Sequence, residues 1–423
     1  MGTDERHQLS VHSTRHELDA LAQLARQARE DRRWERQMRR RRLVLAGGVA
    51  ASLLLTGGIV TLAVRSASSD ATQVAATPGP ATPSSAAPNS AAASRPGSSA
   101  PSATPIPSAT APLSQALRMY GKPRSGLAWH SGIWTGGAVT GALADRAGTW
   151  RGTPMDFATV YPAYASWTEI RNSAWAVRSF SSFQGRLAYG LPLLPKDRKG
   201  KWEDVLDGSH DDIFRVIAQQ LVAAGHGDAA IRVGVEANGY WFPWSVTTAT
   251  VDEYKATFRR VAGIMTAVSP DFTFWMDINC GTVLTGSTDR LAPLYQMYPG
   301  SDVVDGLSMD HYNRFKLLAK DETSWQRAIA PSWAPGLRDG IAFARTHGIG
   351  FAVPEWGLDG VQGPGDSTYF MDKMWHLFAD STDVLVFENY FSEPDAYIKG
   401  DLFQSSQNPK SAAFYRKHWG RQG

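Results

Sequence analysis

From residue 114 to the C-terminus, short apolar runs return at intervals, and most are followed by a stretch with helical spacing. The runs are "SGLAWHSG" (125–132), "MDFATVYP" (155–162), "GRLAYGLPL" (185–193), "AAIRVGVEANG" (229–239), "FTFWMDINC" (272–280), "VDGLSMDHY" (304–312), "IGFAVPEWG" (349–357) and "VLVFENYF" (384–391). Runs this short, rich in aliphatic and aromatic residues and bounded by turn formers, read as strands. Between them, "HDDIFRVIAQQLVAAG" opens with acids at a helix N-terminus, and "TVDEYKATFRRVAGIMTAV" adds a Thr in the capping position. "DSTYFMDKMWHLFADS" also has helical spacing. Eight strands alternating with helices over residues 114–423 predict an α/β fold, a (β/α)8 TIM barrel with extended loops. A doubly wound open sheet is the competing fold, but no Gly-rich phosphate loop follows the first strand.

Upstream the pattern is different. Residues 43–64, "LVLAGGVAASLLLTGGIVTLAV", contain no charge, and as a helix they would span about 33 Å, enough to cross a bilayer core. "RRWERQMRRRR" precedes this segment and only Arg65 follows it closely. That asymmetry predicts a single-pass transmembrane helix with residues 1–42 cytoplasmic and the barrel outside the cell membrane. A cleaved signal, leading to secretion, is the alternative, although leader and apolar run are both long for one. Within 1–42, Leu18, Leu21, Leu24 and Ala25 share one helical face, suited to an anionic membrane surface or to no partner at all. Residues 65–113 are Ala, Ser, Pro, Thr and Gly with few charges, and read as a disordered linker.

Charge sharpens this division. The formal net charge of +3 hides 12 Arg against seven acids in residues 1–65, which leaves 31 basic and 33 acidic residues in the remainder. The barrel region therefore makes no case for nucleic acid. One cysteine, Cys280, excludes an intramolecular disulfide and a Cys-based metal site. There is no HExxH, no dense His cluster and no G-x-S-x-G elbow, so neither a metal, another cofactor nor a serine nucleophile is expected. Nothing points to an obligate protein partner.

In a (β/α)8 barrel, chemistry belongs to the C-terminal ends of the strands. Reading those ends gives Trp129, His130, Tyr161, Glu236, Asp277, Asp310, Tyr312, Glu355, Trp356 and Glu388. A mouth of carboxylates and flat aromatic rings suits carbohydrate: rings stack on the C–H faces of sugars, and glycosidic cleavage needs two carboxyl groups with different tasks. Glu236 ends the fourth run and Glu355 the seventh, each embedded in aromatic sequence. An acid hemmed by Trp241, Phe242 and Trp244 should have a raised pKa.

The segment "VEANGYWFPW" resembles the acid/base motif of glycoside hydrolase family 26, His-Glu-x-Asn-Gly-x-Trp-(Tyr/Phe)-x-Trp. Glu236, Asn238, Gly239, Trp241, Phe242 and Trp244 fall in register. "GLSMDHY" and "VPEWG" are similar to that family's strand 6 and strand 7 segments, and the likeness extends over about residues 120–400. The resemblance implies a retaining β-glycosidase, endo-β-mannanase-like, with Glu236 as acid/base and Glu355 as nucleophile. It further implies Trp241 as a sugar platform and Tyr312 as a hydrogen-bond donor to the nucleophile. Asn238, Trp244, Trp356, Asp310 and His130 are expected to contact the polysaccharide or oligosaccharide substrate. Val235 replaces the family's usual substrate-contacting His, which bears on the mannan preference more than on hydrolysis, and His130 offers a replacement polar contact. Two alternatives stay open at this point: an inactive carbohydrate-binding barrel, and a transglycosylase acting on cell-envelope glycan.

Overall fold

The computed structural model describes residues 113–421, apart from 137–139, 198–199 and 406. The expectations for segments 1–42, 43–64 and 65–112 lie outside the described residues. Among the described residues no helix is long and apolar enough to cross a membrane.

All eight apolar runs contain a strand: β1 (His130–Trp134), β2 (Phe157–Val160), β3 (Arg186–Leu191), β4 (Ala230–Val233), β5 (Thr273–Asn279), β6 (Gly306–Asn313), β7 (Gly350–Leu358) and β8 (Leu385–Phe391). Every neighbouring pair is parallel, and β1 pairs with β8 to close the barrel in sequence order. The (β/α)8 expectation is thus met. The three helical readings hold at Asp211–Ala223, Val251–Thr266 and Thr368–Ala379. Thr250 does not cap its helix as read, however; its hydroxyl accepts from the Thr247 amide at 3.0 Å instead. Ser367 does cap, accepting from the Phe370 amide at 3.3 Å.

Side-chain alternation sorts each strand into inward and outward residues. The inward floor is apolar: Phe157, Ala188, Ala230, Trp275, Ala352 and Phe387 form one buried cluster, closed from below by Tyr120 of the helix Gln115–Tyr120. Outward residues such as Ile231, Met276, Leu307 and Phe351 build the larger core beneath the helices. Above the floor the interior turns polar, with Thr159, Arg232, Asp277, Ser308 and Asn389 all buried. Registers shift between β6 and β7 and between β7 and β8, so alternation breaks near Glu355.

The first strand is displaced from its reading. The sequence reading puts Trp129 and His130 at its C-terminal end, yet β1 begins at His130, which makes His130 a floor residue and leaves Trp129 in the outer core against Trp375 and Phe378. His130 is buried edge-on against the rings of Tyr120 and Phe157, at centroid distances of 5.7 and 5.8 Å. It offers no contact to a substrate at the mouth, and so does not replace the missing His.

Candidate active site

Strand β4 stops at Val233, and the chain then turns sharply through Gly234 (φ 70°) into Glu236 (φ 48°). A glutamate in the left-handed region is strained, and such strain persists only where surrounding bonds fix it. Here Asp277 supplies them: its carboxylate accepts from the Glu236 amide at 2.7 Å and its carbonyl from the Ala237 amide at 3.1 Å. The turn lifts the Glu236 side chain out of the strand and over the mouth, where it is half-buried. Its Oε1 accepts from Asn279 Nδ2 at 2.6 Å and its Oε2 from Trp241 Nε1 at 2.7 Å. The Trp241 ring lies across Gly239, where a Cβ would meet it at 2.4 Å, so only glycine admits this ring position. Trp241 keeps 38% of its surface exposed, enough to present a ring face to a ligand.

Glu355, on β7, is held differently. Tyr312 donates to its Oε2 at 2.9 Å, Tyr161 donates to its Oε1, and Arg232 Nη1 lies 3.1 Å from the same oxygen. Tyr161 fits because it passes over Gly190, where a Cβ would approach its ring to 2.9 Å. Arg232 is fully buried at the centre of a fan of carboxylates: a two-pronged bond to Asp277 (2.7 and 3.1 Å), one to Asp310 (2.6 Å) and the contact with Glu355. A guanidinium is the side chain suited to such a position, since its planar fork serves several acceptors and it does not lose its proton.

These surroundings drive the two glutamates apart. Burial, and after it the charge of Glu355, lift the Glu236 carboxyl to about 7, against the opposing pull of its Asn279 bond. Burial would also raise Glu355, but Arg232, the tyrosine hydroxyls and the Asp310 carboxyl outweigh it and hold Glu355 below the ordinary glutamate value. Tyr161 and Tyr312 are raised well above the usual phenol range, chiefly by burial, so both remain donors. Burial likewise pushes Asp310 well above the carboxylate range, against the pull of Arg232. Near neutral pH one carboxyl is thus able to give a proton while the other is ionised, which is the division of labour that glycosidic cleavage requires. Among the described residues no group of three or more His, Cys, Asp or Glu is arranged for a metal ion.

Several of the expected sugar contacts are buried instead. Asn238 is spent on the loop after β5: its amide donates to the carbonyls of Asn279 and Thr282 and its oxygen accepts from the Asn279 amide. Trp244 is buried, stacks on Phe242 at 4.7 Å and donates to the Val235 carbonyl. Trp356 points outward from β7, has no exposed surface, and donates to Glu388. Glu388 itself faces outward and accepts from Trp129 and Trp419 as well. Asp310 is at the site but faces Arg232 rather than the cleft. Val235 is buried too, so nothing polar fills the place of the family's His.

Residues given no role from sequence matter here. Arg232 was visible as a charge inside the apolar run "AAIRVGV", where only a paired ion is tolerated. Tyr161 is read from sequence only as one of the strand-end residues of the mouth, and Asn279 carries no such signal.

No family model matches the chain. By sequence, it is 31% identical over 121 residues to the endoglucanase H of Acetivibrio thermocellus, covering 26% of this chain and 13% of that protein. It is 35% identical over 95 residues to a mannan endo-1,4-beta-mannosidase of Bifidobacterium adolescentis, covering 22% of this chain and 9% of that protein. The chain therefore matches only a small part of the length of these curated relatives. By structure, the catalytic domain of a Bacillus sp. JAMB-750 family 26 endo-beta-1,4-mannanase superposes with a TM-score of 0.52 at 16% identity, covering 73% of this chain and 91% of that one. The barrel is the fold shared with that family 26 catalytic domain.

Proposed function

We propose that this chain is a retaining glycoside hydrolase of the family 26 kind, cleaving a β-linked polysaccharide with Glu236 as acid/base and Glu355 as nucleophile. The observation that carries the reading is the opposed setting of the two glutamates at one barrel mouth. Glu236 is raised to about 7, while Glu355 is held ionised by Arg232 and two tyrosines. The names of the relatives, a β-mannanase and an endoglucanase, suggest a β-mannan or β-glucan backbone.

In the first step Glu236 protonates the leaving glycosidic oxygen as Glu355 Oε attacks the anomeric carbon, forming a glycosyl ester. Loss of the proton leaves Glu236 as the base that takes one from an incoming water, whose oxygen then displaces Glu355. Tyr312 and Tyr161 hold the Glu355 oxygens in line, and Trp241 offers a stacking face beside the acid. An uncleaved anchor at 43–64 would place this activity on polymers at the cell surface, and that remains part of the proposal.

The test is release of reducing sugar from β-mannan, xylan, mixed-linkage β-glucan and envelope polysaccharide by the full chain. Release by the native protein, lost in Glu355→Ala, is the expected result and names the backbone. Binding without release in both proteins would replace this reading with a sugar-binding barrel.

A further inference from the structure

Beside the catalytic mouth lies a hollow of about 450 Å³ that the mechanism above does not use. It is lined by Phe315, Lys316, Lys320, Arg327 and Trp333 among others, all on the segment that follows β6. We infer that this hollow is an outlying subsite for a β-glycan bearing anionic groups, carboxylate or phosphate, so that the substrate is an acidic rather than a neutral polymer. The inference rests on the hydrolase reading given above.

Three observations carry it. The first is aromatic. Phe315 is 57% exposed and sits at φ 50°, a conformation costly for a bulky side chain. Water gains nothing from an exposed ring, and strain of this kind gathers where a ligand is held. Trp333 forms a second ring of the hollow, fixed by an indole bond to the Gly281 carbonyl at 3.1 Å. Two aromatic faces offer a sugar ring its C–H surface.

The second observation is charge. Lys316, Lys320 and Arg327 are exposed around one small volume, in a barrel region whose acids slightly outnumber its bases. Lys316 Nζ lies over the Trp333 ring at 5.5 Å, and neither Lys320 nor Arg327 forms an ion pair among the described residues. Two acids lie close, and one of them, Asp321, itself lines the hollow, where its carboxylate interacts with the charges of Lys320 and Arg327. Asp321 caps the helix Glu322–Ile329 through the Ser324 amide, and Glu322 is paired with Lys373 at 2.6 Å. With three cations against that one carboxylate, the hollow still presents surplus positive charge.

Continuity with the catalytic centre is the third. Tyr312 donates to Glu355, and the Arg314 guanidinium lies 4.8 Å over the Tyr312 ring and 5.7 Å from the Phe315 ring. A polymer seated at the mouth can therefore run over Arg314 into the hollow without leaving the surface. A neutral mannan or glucan would draw only hydrogen bonds from these cations, whereas an anionic chain would gain charge pairing as well.

The experiment compares the full chain on matched substrates: one β-glycan backbone uncharged, carboxymethylated and phosphorylated. At low ionic strength the anionic chains should show a KM lower by about tenfold, what three exposed charge pairs supply together. That gain should vanish in about 0.5 M salt, where the screening length falls to a few ångströms. It should also vanish in the variant Lys316→Glu/Lys320→Glu, whose folding is checked by its melting temperature. The carboxymethylated and phosphorylated arms tell the two anions apart. Equal KM for charged and uncharged chains, or a preference that survives charge reversal, would overturn the inference while leaving the hydrolase reading intact. If no substrate is turned over, calorimetric titration with the same polymers decides the matter: salt-sensitive binding of the anionic chains supports the subsite, and its absence rejects it.

Discussion

Glu355 and Glu388 stand on adjacent strands, both buried, and each accepts hydrogen bonds from three side chains. Glu355 faces into the barrel and meets a guanidinium and two phenols. Glu388 faces out beneath the helices and meets the indoles of Trp129, Trp356 and Trp419. Burial raises Glu388; the Ser131 hydroxyl, the Trp356 and Trp419 indoles and the charge of Arg151, which bonds Ser131 rather than Glu388 itself, only moderate that rise. Burial acts on Glu355 in the same direction, but a cation reverses the outcome. A strand-end carboxylate is therefore not a catalytic signal in itself. What matters is the side of the sheet it occupies and whether a charge shares its pocket.

The comparison can be broken in a graded way. Glu355→Ala should lower turnover by at least about 10⁴-fold, the scale on which loss of a nucleophile is felt, with the melting temperature nearly unchanged. Glu236→Gln should cost about 10²–10⁴-fold on natural glycan, and less on aryl glycosides whose leaving group needs no proton. The native kcat/KM should fall as pH rises through about 7, where Glu236 loses its proton. It should fall again on the acid side, below the ordinary glutamate pKa, where Glu355 gains one; Glu236→Gln should abolish only the upper limb. Arg232→Met leaves Asp277 and Glu355 without their cation and should destabilise the fold by about 3–5 kcal/mol, measured by denaturant unfolding. Glu388→Gln should leave kcat intact and cost about 1 kcal/mol. Because the folded state raises the Glu388 pKa, that group's contribution is full below the unfolded value and fades as pH rises. The deficit of the variant should therefore be larger in acid than at neutral pH. A loss of turnover in Glu388→Gln to match Glu355→Ala would show that sheet side is not the deciding factor.

The barrel was legible because each strand buries both faces and so reads as an apolar run, wherever its exact ends fall. The candidate pair, Glu236 and Glu355, stands out in its motifs, and the fold brings both to one barrel mouth. Side-chain direction was not. Trp244 and Trp356 look like platforms in sequence because an indole N–H needs a polar partner; in the fold, a backbone carbonyl and a buried carboxylate provide it. The register shifts around β7 also remove the alternation from which Trp356 could have been placed outside. His130 was misplaced because apolar periodicity marks that a strand exists but not which end of "SGLAWHSG" belongs to it. Arg232 was the missed opportunity, since a lone charge inside an apolar strand announces buried partners.

Arg232 has a mechanical meaning as well as an electrical one. One arm of its fork fixes Asp277, and Asp277 in turn fixes the amide of Glu236; another arm touches Glu355. Both working parts are thus located from a single datum, as a machinist would set two holes from one edge. Their separation depends on a few short links rather than on the accumulated slack of the strands between β4 and β7. Small distortions of the outer helices can therefore be absorbed without altering the gap between Glu236 and Glu355.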